Sequence, residues 1–370
     1  MLAIFDMSSV NIIRYNFQFI ESNTKKYIAL VDDKDLCTSI DDAYCTLVCT
    51  GWWRVIDFIT YFKKNGVSLI IISGQRPADL RVLIAANSLN IKVIYKMHGL
   101  YIPYMKRGFG FYIAKLSKSL RTLFYLMDIA AFTQKLNISL GMAKSFIFGA
   151  SRKSWAGEKI LGFDYGLIWS EYWQAWHEEH WAMNPNSGWV VLGNPDTKKF
   201  NMVDVSRSDI IYVYQTLVED GRIDADIMDH FYEALYKLSQ TSGKLVHIKW
   251  HPRGDEAILE RFIKFGFEIH SDMPKGHLYI GHYSSLLGLV PMIQGHVVIF
   301  ELDGHPTPVS IMEISNGVVD RISSLNDLIN NGTEQWTVKK SEAVFYFGDQ
   351  FDIKKELDVI NQIISLKDVI

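Results

Sequence analysis

Cysteine is scarce in this chain of 370 residues. Its three cysteines, Cys37, Cys45 and Cys49, lie in one short stretch, and no Cys-x-x-Cys spacing occurs among them. An odd number of cysteines cannot all pair, and without that spacing a cysteine-type zinc site is not expected. This usage favours a reducing compartment, so we expect the chain to be cytoplasmic.

Long apolar runs and a strong net charge are also missing. The first 17 residues lack a basic segment followed by a continuous apolar core, so they are a poor match to a signal peptide. No run reaches the ~18 apolar residues that a membrane span needs. The formal net charge of −3 gives no general attraction to nucleic acid, and we expect no such partner. An anionic ligand must therefore be held by local groups.

The composition that remains, with 48% hydrophobic residues, is enough for two sizeable cores. Continuous apolar runs typical of buried strands alternate with helical spacing, which predicts an α/β protein with parallel sheets covered on both faces. The predicted strands are 27–31, 45–49, 67–72, 91–95, 189–192, 210–214, 245–249, 278–280 and 297–300. The predicted helices are 52–64, 77–90, 226–240, 256–264 and 285–293.

This alternation occurs twice and predicts two Rossmann-like domains. A breaker cluster at Gly193–Asp196 precedes a polar stretch, which suggests a domain 1–195, a linker 196–208 and a domain 209–370. Two such domains facing across a cleft form the GT-B architecture. Ligands of such sheets bind at the carboxyl ends of the strands.

Adjacent carboxylates follow the strand that ends near Tyr214. Glu219 and Asp220 precede Gly221, and a pair of carboxylates on a loop can supply a general base. Taken alone, this segment is more often a solvated turn before a helix.

A histidine and an arginine follow the strand 245–249. His251 stands at the strand end, Pro252 fixes the backbone, and Arg253 can fork against two phosphate oxygens. His251 can also donate a proton to a departing phosphate. A loop histidine beside a surface arginine is an equally good interpretation.

Small polar residues follow the strand 278–280. Ser284 and Ser285 offer hydroxyl and backbone N–H groups at the start of a predicted helix, which suits a phosphate. An ordinary N-cap is the simpler explanation. Glu301, which follows the strand 297–300, can bind ribose hydroxyls, although a plain turn is the better interpretation. We expect no metal and no other cofactor, because His251, Arg253 and the helix end can neutralise the phosphate.

The segments QTLVEDG, KWHPR and HYSS together resemble the bacterial sialyltransferases of GT-B fold, both the lipooligosaccharide type and the capsule polysialyltransferases. The resemblance implies an inverting transfer of sialic acid, or a related acid sugar, from a CMP-sugar to a lipooligosaccharide, O-antigen or capsule acceptor. It implies that Glu219 or Asp220 is the base and leaves open which. It also implies that His251 contacts the CMP phosphate, which Ser284 and Ser285 hold.

A second resemblance rests on Lys96-Met97-His98-Gly99, on Lys106-Arg107-Gly108 and on the HPR and YSS segments. Together these are similar to the teichoic-acid polyol-phosphate transferases, which use a CDP-polyol donor. That resemblance implies His98 as the base. Under the first resemblance His98 can lie on the acceptor side. A third hypothesis is a non-catalytic nucleotide-binding protein of polysaccharide assembly.

Residues 106–144 carry seven basic side chains and one acid among interleaved apolar residues. This composition favours contact with the inner face of an anionic membrane, where lipid-linked acceptors occur. The alternative is a pair of core helices with a solvated basic face.

Overall fold

The computed structural model describes residues 2–6, 27–31, 45–100, 116–148, 152–198, 202–206, 208–302, 306–319, 324–325 and 336–365. These residues form two compact units. The first contains the described residues up to 98, 116–193 and 352–365, and the second contains 99–100 and 194–351. Within these ranges, no helix combines the length and the apolar character that crossing a bilayer requires.

The first unit is built on a seven-stranded sheet in which every pair of neighbours is parallel, in the order β3-β2-β1-β4-β5-β6-β7. Its strands are β1 (Leu2–Asp6), β2 (Tyr27–Val31), β3 (Cys45–Cys49), β4 (Leu69–Ile72), β5 (Lys92–Lys96), β6 (Tyr165–Ile168) and β7 (Trp189–Val191). Strands β1 and β6 were not predicted from the sequence, and β1 lies between β2 and β4. Cys49, the last residue of β3, is disulfide-bonded.

Helices connect these strands as parallel pairing requires. They are α1 (Val55–Asn65), α2 (Pro77–Ser88), α3 (Leu116–Thr133), α4 (Leu136–Phe148), α5 (Lys153–Ala156), α6 (Glu171–Trp181) and, from the end of the chain, α11 (Ile353–Ser365). Local chemistry fixes the ends of α1: the Arg54 N–H donates to the Asp57 carboxylate at 2.8 Å, and Gly66 follows in a left-handed conformation with φ of 58°.

The second unit carries a six-stranded parallel sheet in the order β11-β10-β9-β13-β14-β15. Its strands are β9 (Ile210–Val213), β10 (Val246–Lys249), β11 (Glu268–His270), β13 (Leu278–Gly281), β14 (His296–Phe300) and β15 (Gly317–Val319). Counted from β9, the spatial order of these strands is 3-2-1-4-5-6, the order of a dinucleotide-binding fold. A small pair, β8 (Met202–Asp204) and β12 (Met273–Lys275), completes the strands.

The helices of the second unit are α7 (Ala225–Ser242), α8 (Glu256–Lys264), α9 (Val309–Ile314) and α10 (Lys340–Phe347), with a 3-10 helix at Ser285–Ile293. The apolar stripe predicted for α7 needs one correction. Phe231 and Leu235 are buried as expected, but Ile227 is exposed and Met228 is buried in its place. The difference is confined to the first turn of the helix, since Phe231, Leu235 and Leu238 are all buried as predicted.

Two features differ from the predicted domain ranges. Helix α11 belongs to the first unit, because Asp352 N–H donates to the Leu192 carbonyl at 2.7 Å and Glu356 pairs with buried Lys96. The stretch expected as a linker, 196–208, contains β8, which pairs with β12 inside the second unit. Neither contact has a local signal, since each joins segments far apart in sequence.

Candidate functional site

The three segments singled out in the second half follow neighbouring strands. Strand β9 lies between β10 and β13, and the sheet order reverses between β9 and β13. Parallel strands all end at the same edge of a sheet, so the loops after β9, β10 and β13 meet there. In open α/β sheets this reversal point is where ligands bind.

The loop after β9 is a compact turn. The Asp220 N–H donates to the Thr216 carbonyl at 3.1 Å, and the Gly221 N–H donates to the Val218 carbonyl at 2.8 Å. Gly221 has φ of 63°, a left-handed conformation that favours glycine. The predicted glycine is therefore required by the backbone that presents the two acids.

Glu219 is held firmly by one of its two oxygens. Its Oε1 accepts a hydrogen bond from the Tyr214 hydroxyl at 2.5 Å and another from the Asp255 N–H at 3.0 Å. Burial raises the pKa of Tyr214, with further contributions from Tyr232 and Glu219, so the hydroxyl stays protonated and donates. The second carboxylate oxygen of Glu219, Oε2, is buried and has no hydrogen-bond partner among the described residues.

Asp220 is more accessible and is surrounded by donors. Arg253 approaches its two oxygens at 3.2 and 3.5 Å, and the Thr216 hydroxyl donates at 3.2 Å. Arg222 lies 3.8 Å away on the other side. The Asp220–Arg253 pair joins the loop after β9 to the loop after β10, across 33 residues of sequence.

His251 begins a tight turn. The Gly254 N–H donates to the His251 carbonyl at 2.9 Å, and Pro252 occupies the second position of the turn, which its fixed φ favours. The Arg253 N–H donates to His251 Nδ1 at 3.2 Å, so the neutral ring carries its proton on Nε2. Burial and then the Arg253 charge lower the pKa of His251, so the ring is neutral near neutral pH.

The loop after β13 is tied to the same place. The Tyr283 N–H donates to the Gln215 side chain at 3.1 Å, and Arg222 donates to the Tyr283 hydroxyl at 3.4 Å. Ser284 caps the 3-10 helix by accepting from the Leu286 N–H at 3.3 Å. Ser284 and Ser285 are both partly exposed at that helix start.

Two other predicted residues follow strands other than β9, β10 and β13. Glu301 is exposed at the end of β14, and among the described residues no hydrogen bond or ion pair joins it to the three loops. His98 follows β5 in the first unit and shares a 2.9 Å hydrogen bond between its Nδ1 and the Ser73 carbonyl. Because a carbonyl only accepts, Nδ1 carries the proton, and Nε2 is the basic nitrogen of a neutral ring. The segments 106–108 and 303–305 lie outside the described residues.

Several groups that build the site were not predicted from the sequence. Arg222 stands between Asp220 and Tyr283, Gln215 joins two loops, and Tyr214 holds Glu219. Arg222 directly follows the Glu-Asp-Gly segment, so its position was a usable signal. The loops together offer two carboxylates, two guanidinium groups, an imidazole N–H and the start of a helix. Such a set can bind a phosphate and accept a proton beside it.

No protein-family model and no curated protein matches the sequence. Solved structures are similar over almost the whole chain. One is the S. aureus MnaA–UDP co-structure, with TM-score 0.55 and 11% identity over 99% of this chain and 96% of that one. Another is the calicheamicin glycosyltransferase CalG4, with TM-score 0.56 and 8% identity over 98% of each chain. A third is a ugt transferase from Siraitia grosvenorii in complex with UDP, with TM-score 0.52 and 8% identity over 98% of this chain and 99% of that one.

The chain has the GT-B fold. Identities of this size show the architecture alone, and they agree with the two parallel sheets described above. The predicted fold class, α/β with two Rossmann-like domains, is thereby confirmed.

Proposed function

We propose that this chain is an inverting glycosyltransferase that moves sialic acid, or a related nonulosonic acid, from a CMP-sugar to a surface-glycan acceptor, without a metal ion in the reaction. The fold supports a nucleotide-sugar enzyme, since structures similar in fold include a glycosyltransferase and proteins solved with UDP. The choice of CMP and of an acid sugar rests on the resemblance of the three loop segments to the bacterial sialyltransferases.

One observation carries the proposal. The three segments that carry the resemblance follow three adjacent strands, and side chains join their loops through Asp220–Arg253 and Gln215–Tyr283. A transferase of this class needs a base, a phosphate site and an acid close together. Three surface turns without a common function are not expected to lie at the same edge of the sheet and to form hydrogen bonds directly with one another.

Asp220 is the proposed base. Its side chain is 26% exposed, whereas the second oxygen of Glu219 is buried and the first is occupied by two donors. A base must reach the acceptor hydroxyl, so the accessible carboxylate is the better candidate. Glu219 is then a positioning residue that locks the loop against Tyr214 and Asp255.

Arg253, His251 and the serine pair are the proposed phosphate ligands. Arg253 is 60% exposed on its side chain, so it can exchange one Asp220 contact for phosphate oxygens at little cost. His251 presents an Nε2–H donor that can bond the phosphate and support its departure as CMP. Ser284 and Ser285 add hydroxyl and backbone donors at a helix start, and Gly221 shapes the adjoining turn.

Turnover of the donor tests this assignment. Chelator-treated protein incubated with CMP-sialic acid should release CMP, and release should accelerate with a galactoside acceptor. His251→Ala should lower the rate at least about 100-fold, as loss of a hydrogen-bond donor to developing negative charge does. The exposed His230→Ala is the matched control and should retain the wild-type rate.

The same assay separates the rival functions. Consumption of CDP-glycerol but not CMP-sialic acid, with loss of activity in His98→Ala, would assign the polyol-phosphate reaction instead. Binding of CMP without release from any donor would assign a non-catalytic nucleotide-binding role. Turnover of a UDP-sugar in place of the CMP-sugar would refute the proposed donor.

We also propose that helices α3 and α4 rest on an anionic membrane surface, where a lipid-linked acceptor is presented. The exposed apolar side chains comprise a line along α3 at helical spacing and two more on α4, four residues apart. They are Leu116 (56% exposed), Leu120 (52%), Leu123 (53%), Met127 (65%), Leu136 (63%) and Leu140 (52%). Exposed Lys144 adds positive charge on α4, and such a combination suits a bilayer interface.

Vesicle co-sedimentation tests this surface. Wild type should pellet with phosphatidylglycerol vesicles and less with phosphatidylcholine vesicles. The double variant Leu123→Glu/Met127→Glu should stay in the supernatant. Ile263→Glu, at an apolar residue 58% exposed on α8, is the control and should pellet as wild type does. Equal pelleting of all three proteins would exclude this surface.

A further inference from the structure

A polar cluster lies at the edge of the second sheet and takes no part in the proposed reaction. It consists of His247 on β10 and of Glu268 and His270 on the edge strand β11. The two strands are parallel, and their register sets His247 beside Glu268. Side chains alternate along strands: Val246, Ile248 and Ile269 contact the apolar core under α7 and α8, so the cluster projects from the opposite face.

The three side chains are spaced as ligands of a single ion would be. His247 Nδ1 lies 3.0 Å from His270 Nε2 and 3.3 Å from Glu268 Oε2, and these last two atoms are 3.8 Å apart. Ligands around a tetrahedral Zn²⁺ with bonds of about 2.0 to 2.2 Å lie roughly 3.3 to 3.6 Å from one another. The three observed separations, 3.0, 3.3 and 3.8 Å, bracket this range.

Asp209 fixes the orientation of the buried histidine. Its Oδ2 lies 3.2 Å from His247 Nε2, while its Oδ1 accepts the Leu245 N–H at 3.2 Å. A neutral imidazole carries one N–H proton. Here that proton is on Nε2, and the Asp209 carboxylate accepts a hydrogen bond from it. The lone pair of His247 Nδ1 therefore faces His270 Nε2 at 3.0 Å and Glu268 Oε2 at 3.3 Å, and one cation among these three atoms can accept a lone pair from each of them. Metal-bound histidines typically donate their other N–H to a carboxylate in this way.

We infer that His247, Glu268 and His270 bind one Zn²⁺ ion, with water as the fourth ligand and Asp209 orienting His247. The ion fastens the three-residue edge strand β11 to β10. Two imidazoles and one carboxylate are a borderline-soft set that favours zinc over magnesium or calcium. The inference assigns the ion no part in the transfer, so the expectation that transfer itself needs no metal is unchanged.

Metal binding to the full chain tests this inference. After chelator treatment, the protein should take up one equivalent of Zn²⁺ and should give with Co²⁺ the intense visible absorption of a tetrahedral site. His270→Ala and Glu268→Gln should each weaken Zn²⁺ binding more than about tenfold, and Asp209→Asn about 10- to 100-fold. Both ligand variants are at partly or fully exposed side chains and should fold.

The exposed His230→Ala is the matched control and should bind zinc as wild type does. The main rival is a hydrogen bond from the Nε2–H of His270 to His247 Nδ1 at 3.0 Å, which holds the cluster together without an ion and gives no stoichiometric uptake of metal. Absence of Zn²⁺ uptake by wild type, or uptake by His270→Ala equal to that of wild type, would overturn the inference.

Discussion

Two histidines of this chain carry their proton on opposite nitrogens, and the difference bears on their chemistry. The Arg253 N–H donates a hydrogen bond to Nδ1 of His251, so the proton of the neutral ring is on Nε2, which is an N–H donor. The Ser73 carbonyl accepts from Nδ1 of His98, which leaves a basic Nε2. A donor suits a phosphate and a departing group, whereas a basic nitrogen suits an acceptor hydroxyl. The geometry thus supports His251 as a hydrogen-bond donor to the phosphate. It keeps His98 as a candidate base for the rival polyol-phosphate reaction.

Exchange of each acid for its amide separates base from positioning residue. Asp220→Asn should lower kcat about 10²- to 10⁴-fold with little change in KM, because it removes proton acceptance but keeps the shape. Glu219→Gln should cost less in kcat, since it weakens a support and leaves the base. The measurement is initial rates with CMP-sialic acid, with exposed Glu260→Gln as control. A greater loss of kcat in Glu219→Gln than in Asp220→Asn would reverse the two roles.

The Arg253 charge should set the pKa of His251. Burial is the larger cause of the lowered pKa, and Arg253 adds to it. Arg253→Gln removes the positive charge and also leaves Asp220 less compensated, so the His251 pKa should rise. An NMR titration of the His251 ring measures this shift, with exposed Lys237→Gln as control. An unchanged or lowered His251 pKa would show that the two side chains are not coupled.

At the scale of elements, helix α11 is fastened to the first sheet by a buried ion pair. Lys96 Nζ lies 2.5 Å from Glu356 Oε1, with side-chain exposures of 3% and 1%. Removal of Glu356 takes the carboxylate of this pair away from the buried Lys96 charge, so Glu356→Ala should lower the free energy of unfolding of the first unit by about 3 to 5 kcal/mol. The double variant Lys96→Met/Glu356→Leu should recover most of that loss. Urea denaturation followed by tryptophan fluorescence measures both, and a double variant no better than the single one would contradict this account.

Helix α6 gives the first unit a dependence on pH. His177 on this helix is buried, shares a 3.0 Å hydrogen bond with the Tyr95 hydroxyl, and has a pKa lowered to about 4, chiefly by burial. A lowered histidine pKa means that the unfolded chain binds the proton more tightly. The stabilisation is present above pH 6.5 and is lost as the pH falls from there toward 4.

Between pH 7.5 and pH 5, we therefore expect His177 to account for a loss of about 2 kcal/mol in the free energy of unfolding. His177→Gln should lack this component, so its stability should fall less over the same range. Denaturation of both proteins at the two pH values measures the difference. Identical losses in wild type and variant would show that His177 is not responsible.

Elements with strong local patterns could be predicted from the sequence, and those fixed by distant contacts could not. The continuous apolar run at 27–31 is strand β2 as predicted, and residues 256–264 form the predicted helix α8. Strand β1 was missed although residues 2–5 form a continuous apolar run of the same kind, and its place between β2 and β4 is set by pairing with segments distant in sequence. The replacement of Ile227 by Met228 is confined to the first turn of α7, and apolar spacing alone does not fix which side chain of that turn reaches the core.

At the scale of the whole molecule, the sequence predicted two Rossmann-like domains and three loops at strand ends. It could not predict that β9 lies between β10 and β13, because strand order depends on pairing and not on local pattern. The contact of Arg253 with Asp220 follows from that order, and so does the meeting of Gln215 with Tyr283. The cluster of His247, Glu268 and His270 was missed for the same reason, since its spacing exists only once β10 and β11 pair.

Calorimetric titration of the full chain with CMP, cytidine and UDP tests the central claim most directly, because cytidine differs from CMP only in the phosphate. The account predicts that CMP binds at least about tenfold more tightly than cytidine, since charge-assisted hydrogen bonds to the phosphate exceed 1.4 kcal/mol in sum. It also predicts that the double variant Arg253→Gln/Ser284→Ala loses this preference while its affinity for cytidine is unchanged. Equal affinities of wild type for CMP and cytidine, or tighter binding of UDP than of CMP, would contradict the claim that these three loops form a site for cytidine monophosphate.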